Sequence, residues 1–208
     1  MSKVTVLNHP LIDHKMSQVR DKHTNTKAFR ETVSEIGALI TYEITRDFKT
    51  TPKTIETPMA VMTAHELEKP VVIVPILRAG LGMVDGIHNI IPNAKIGHIG
   101  LYRDEETLEP KAYYQKFPKS ITNSVVLVVD PMLATGGSAS YAIDILKKQG
   151  VLDIRYVGLV GCPEGIQRLQ KDHPEVSIYL AALDEKLDEN GYIVPGLGDC
   201  GDRLFGTK

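Results

Sequence analysis

Cysteine is scarce in this chain: Cys162 and Cys200 are the two in 208 residues. They are too few for a disulfide scaffold and lack metal-ligand spacing, which leads to the expectation of a reducing, cytoplasmic setting. Neither sign of charge is in excess. The formal net charge is -2 and Lys and Arg are spread along the chain, whereas a nucleic-acid binder carries a basic surplus on one face. Long apolar runs are missing as well. Nothing approaches the roughly 18 apolar residues of a membrane span, and the opening MSKVTVLNHPLIDHK has no apolar signal-peptide core. The seven histidines include no H-E-x-x-H or similar pair, so a zinc site built by the protein is not expected. There is no G-x-x-x-x-G-K-[ST] either, against a P-loop kinase or ATPase.

What is present is ordinary globular composition, 42% hydrophobic and 24% charged, in a length that supports one large core. No internal repeat is visible, so a single domain over 1–208 is expected: an N-terminal helix and arm to about residue 70, a core sheet over 71–183, and a tail over 184–208. The first regular element is read as a helix from Thr26 to about Phe48, because Phe29, Val33, Ile36, Ile40 and Ile44 share one face. From residue 71 short continuous apolar runs follow: Val71 to Pro75, Ile96 to Tyr102, Val125 to Val129, Arg155 to Val160 and Ile178 to Leu183. Such runs read as strands covered on both faces. Helical stretches lie between them, so the fold class is α/β, a mostly parallel twisted sheet flanked by helices. Two segments break the alternation. Residues 102–120 are polar with two prolines and read as a long, closing loop; residues 190–206 carry five glycines and read as irregular.

The most informative stretch is SVVLVVDPMLATGGSASYAIDILKKQG, residues 124–150. In open α/β sheets ligands sit beyond the carboxyl ends of the strands, and the Val125 to Val129 run delivers its end into Asp130. Thr135, Gly136, Gly137 and Ser138 then lead into a helix from about Ala139. Glycine amides, two hydroxyls and a helix N-terminus together suit a phosphate monoester. Asp130 suits sugar hydroxyls or positive charge developing on a sugar ring. The competing interpretation is an Asx turn at Asp130-Pro131 and a Ser138 cap serving stability alone. PILRAGLGM, residues 75–83, is a second glycine-rich turn after a strand, with Arg78 inside it. Amides and a guanidinium fit a diphosphate, although Arg78 could equally be a surface residue of a tight turn. The spacing of Gly80, Gly82 and Gly86 does not match a dinucleotide fingerprint.

VVDPMLATGGS at 128–138, PILRAGLGM at 75–83 and YIVPGLGD at 192–199 together resemble the uracil phosphoribosyltransferases, a family of type I phosphoribosyltransferases. The likeness runs over nearly the whole chain and is weakest in residues 50–70. It implies the type I phosphoribosyltransferase fold with a C-terminal glycine-rich hood, and the conversion of uracil and 5-phosphoribosyl 1-diphosphate to UMP and diphosphate. Mg²⁺ would arrive on the donor rather than in a protein-built metal site. It further implies donor contacts at Arg78, Arg103, Asp199 and the run Asp130, Pro131, Met132, Leu133, Ala134, Thr135, Gly136, Gly137 and Ser138. Arg103, Asp130 and Asp199 would act at the reacting centre. Ile193, Gly198, Asp199 and Cys200 would meet the base through the hood, with Tyr192 lining the pocket. Pro131 stands where most type I members have a second acid, and Cys200 where the family usually has alanine. A thiol at the pocket predicts sensitivity to alkylating reagents. The family also suggests a dimer or tetramer, and some relatives respond to GTP. The alternatives are a phosphoribosyltransferase for another base, a nucleotide-sensing RNA-binding regulator and an inactive scaffold.

Overall fold

The computed structural model describes residues 3–103 and 110–207. In chain order its elements begin with β1 (Val4–Val6), α1 (Pro10–Arg20), α2 (Thr26–Ile44), β2 (Thr50–Glu56), β3 (Val61–Leu67), β4 (Val71–Leu77) and α3 (Leu81–Ile90). Then come β5 (Lys95–Ile96), β6 (His98–Arg103), β7 (Pro110–Lys116), β8 (Val125–Val129), β9 (Met132–Leu133), α4 (Gly137–Lys148) and β10 (Asp153–Gly161). The chain closes with α5 (Pro163–Asp172), β11 (Ser177–Leu183), β12 (Lys186–Leu187), β13 (Ile193–Val194) and α6 (Cys200–Phe205).

The main sheet runs β1-β11-β10-β8-β4-β6-β7, with β5 beside β4 and β9 beside β10. Every pairing is parallel except the β6–β7 hairpin. β8 is buried along its whole length, as a central strand covered on both faces must be. α1, α2 and α3 cover one face with Phe29, Val33, Ile36, Ile40 and Ile87. α4 and α5 cover the other with Ala142, Ile143, Leu146 and Leu169. The α2–α3 contact is unusually close: a Cβ at Gly86 would lie 1.8 Å from the Ser34 carbonyl oxygen. Gly82 and Gly86 are therefore helix-packing positions inside α3, not part of an exposed anion turn.

Three expectations are corrected. The first regular elements are β1 and α1; α1 starts at Pro10, whose missing N–H suits a first helical turn, with the His9 side chain accepting from Leu11 N. Residues 102–120 are not one long loop, because β6 and β7 pair through Tyr102 and Arg103; β7 sits at the sheet edge, where solvent on one side removes the apolar signal. Its connection, 104–109, lies outside the described residues. Residues 50–70, read only as an arm, form the β2–β3 hairpin.

Candidate active site

β4 and β8 are neighbours in register, Pro75 opposite Val129, so Arg78 and Asp130 emerge side by side at the carboxyl ends of the sheet. The Leu77-Arg78 peptide is cis. Asp130 is part-buried and, among the described residues, its carboxylate receives one weak hydrogen bond, from Met132 N at 3.4 Å. Burial therefore dominates, and the carboxyl is pushed up to about 7. The carboxylate expected from the sequence is thus far easier to protonate in the ligand-free protein than an exposed one. Its backbone carbonyl is held by the buried Tyr156 hydroxyl at 2.9 Å.

The following run divides in two. Pro131 to Ala134 anchor the turn: the Pro131 carbonyl accepts from Leu159 N and Val160 N, Met132 and Leu133 pair with β10, and the Ala134 carbonyl faces the Cys162 thiol. Thr135 to Ser138 form the open part. Gly136, not Ser138, is the N-cap of α4, with φ 77, and a Cβ there would sit 2.9 Å from the Gly165 carbonyl oxygen. That left-handed turn sets Gly137 and Ser138 on a cleft shared with Thr135, Tyr102, Asp144 and Arg168, where the Gly137 N–H donates to Thr135 Oγ1 at 3.4 Å. The α4 N-terminus points into it, a geometry that attracts an anion.

The tail folds back on these strand ends. Asp199 caps α6 by accepting from Asp202 N at 2.9 Å, and Arg78 reaches Asp202 at 3.5 Å while lying over the Phe205 ring. The structure thus brings Arg78 to the hood. Ile193 and Cys200 are buried, 5% and 3% exposed, so neither side chain is presented at the surface. Gly198 has φ 79 between them. Tyr192 is half exposed and shares a second cleft with Asp199, together with Asn25, Thr26, Asp202 and Arg203. Cys200 corrects an expectation: desolvation, reinforced by the nearby Asp130 and Asp199 charges, pushes its thiol far up, so it is a poor nucleophile in the folded protein. Arg103 ends β6, and its side chain lies outside the described residues.

Sequence reasoning missed Arg20 and Asp184. Arg20, the last residue of α1, pairs with Asp184 just past β11 at 2.6 and 2.8 Å. The only sequence signal was a carboxylate at a strand end, the same feature that singled out Asp130.

The model of the family described as uracil phosphoribosyltransferase matches residues 6–207. A uracil phosphoribosyltransferase from Acholeplasma laidlawii is 70% identical over the full length of both chains, and one from Levilactobacillus brevis is 61% identical, again over both entire lengths. A solved structure from Aquifex aeolicus superposes with a TM-score of 0.94 at 38% identity, covering 99% of each chain. A hypoxanthine phosphoribosyltransferase from Staphylococcus aureus shares the fold, with a TM-score of 0.52 at 19% identity over 76% of each chain. With the family model matching residues 6–207 and relatives alike over their full length, on a fold that sets Arg78 and Asp130 at neighbouring strand ends, the chain belongs to the uracil phosphoribosyltransferase family.

Proposed function

We propose that this chain transfers the phosphoribosyl group of 5-phosphoribosyl 1-diphosphate to uracil, releasing diphosphate and UMP. The observation that carries this is the succession past the end of β8 of Asp130, the two-residue β9 and the Thr135–Ser138 turn that opens α4, with Thr135, Gly137 and Ser138 lining one cleft. A sugar bearing a 5-phosphate fits that order: phosphate at the α4 N-terminus, ring hydroxyls at Asp130. In the reaction the bond from C1 to diphosphate breaks, a C1–nitrogen bond forms, and the base loses its proton. Positive charge builds on the ring between these events, so positioning and charge stabilisation matter more than a strong base. Asp130 favours the cationic ring in its ionised form. Arg78 stands at the next strand end, where a leaving diphosphate would meet its guanidinium. Asp199 is committed to capping α6 through one oxygen, so its influence on the donor runs through the hood as much as through contact.

The described residues contain no group of three or more His, Cys, Asp or Glu placed to hold a metal ion. Those described residues fit the Mg²⁺ implied by the family as an ion that would come with the diphosphate, with Asp130 a carboxylate that could stand beside it. There it would neutralise charge on the leaving group. The base is read by hood backbone, which suits a pyrimidine without a carboxylate.

The β2–β3 hairpin supports self-association. It stands clear of the core with Met59 92% and Val61 67% exposed, and sedimentation of the purified chain tests this. The central assay measures diphosphate release from the donor with uracil, hypoxanthine or orotate, with and without Mg²⁺. A GTP arm tests for activation by that nucleotide. Release with uracil alone supports the reading, and release with another base in preference overturns it. Arg103→Ala should lower kcat at least about tenfold, a loss of about 1.4 kcal/mol of transition-state stabilisation.

A further inference from the structure

If the base is read by backbone groups of the tail, something must hold that backbone still. Tolerances for a binding constellation are about half an ångström, and the tail has little regular structure of its own. β12 and β13 share two residue pairs, and α6 is six residues long. Between them runs the turn Val194-Pro195-Gly196-Leu197, which separates Ile193 from Gly198.

Both polar groups of Gly196 are engaged by one ion pair. Its N–H donates to Asp184 Oδ2 at 2.8 Å, and its carbonyl accepts from Arg20 Nη1 at 2.7 Å. Arg20 meets Asp184 with two nitrogens, Nη1 at 2.8 Å and Nη2 at 2.6 Å. The Asp184 side chain is 5% exposed and that of Arg20 25%, so water competes little. Gly196 has φ 61, and a Cβ there would lie 2.1 Å from the Ile193 carbonyl oxygen, so no other residue fits the turn.

Each partner is anchored to a rigid element. Asp184 follows β11 directly, and its N–H is bonded to the Gly161 carbonyl at 2.8 Å. Arg20 ends α1, whose Ile12, Met16 and Val19 are buried in the core. A second arginine ties the same elements from the other side. Arg203 of α6 donates to Leu197 O at 2.8 Å, to Asp21 O at 2.6 Å, and to Val19 O.

We infer that the Arg20–Asp184 pair is a positioning clamp that sets the base-reading backbone of the hood relative to the sheet. The inference deepens the function proposed above and rests on it. Neither residue touches substrate in this scheme; both act through Gly196. A planar fork that serves two carboxylate oxygens and a carbonyl together is specific to arginine. Lysine keeps the charge without that geometry. Because hood contacts act on bound base and transition state alike, loosening them raises KM for the base rather than lowering kcat.

The test compares the parent with Arg20→Lys and Asp184→Asn, each first checked for a cooperative melt. Both variants should raise KM for uracil at least about tenfold, with KM for the phosphoribosyl donor changed less than about twofold. A merely structural role would reduce the folded fraction, lowering apparent kcat with both KM values intact, and that result overturns the clamp. Amide exchange at Gly196 and Leu197 reads the clamp without turnover: both amides should exchange at least about tenfold faster in the variants. Unchanged exchange overturns the inference even if activity falls. A parent that releases no diphosphate with uracil overturns the proposed function instead, and the exchange data then decide the clamp alone.

Discussion

Asp130→Asn should stabilise the ligand-free protein above neutral pH while removing activity. A carboxyl raised from 3.8 to about 7 by burial binds its proton more tightly in the folded state than in the unfolded chain. Its contribution to stability is full below about pH 4 and is lost as pH rises through about 7. The whole shift corresponds to about 4 kcal/mol, of which about 3 kcal/mol falls between pH 5 and pH 8. For a chain of this size that is about 6 to 12 °C in Tm. Asparagine keeps the shape and the acceptor for Met132 N but has no charge to bury. Melting curves of parent and variant from pH 5 to pH 8, in low phosphate and without substrates, isolate the Asp130 contribution because other titrations cancel in the difference. The variant's Tm should gain on the parent's by that amount as pH rises. Parallel curves would refute the desolvation argument. Full activity in the variant would separately show that the charge is not used at the sugar.

Other outcomes follow from packing and burial. Gly86→Ala places a methyl against the Ser34 carbonyl, at 1.8 Å with both helices rigid, and should cost about 3 kcal/mol or more in denaturant unfolding. Tyr156→Phe removes the hydroxyl that holds the Asp130 carbonyl and should cost about 1 kcal/mol by the same measurement. Cys162 and Cys200 are both buried, so a chromogenic disulfide reagent should label the native protein far more slowly than the denatured one; fast native labelling at Cys200 would contradict its raised thiol.

The core strands were legible because each is a continuous apolar run, and β8 was read to the residue. α2 announced itself through five apolar residues on one face, although its regular part stops at Ile44 and a 3-10 turn continues to Asp47. α1 was missed because only Ile12, Met16 and Val19 mark its inner face. β2, β3 and β7 were missed because they face solvent, and an exposed strand has no need of alternating apolar residues.

By itself the sequence determined which chemical groups stand at the strand ends: a Val run leading into Asp130, then Thr135, two glycines and Ser138 opening a helix, and Arg78 after its own strand. Those are local relations, carried by neighbours along the chain. Tertiary structure decided how those groups behave. Desolvation of Asp130 depends on what surrounds it, and so does the quenching of the Cys200 thiol. The hood's position depends on Arg20 meeting Asp184 and Gly196, 164 and 176 residues away. No local pattern encodes such pairings, because they exist only once separate elements have packed around one sheet.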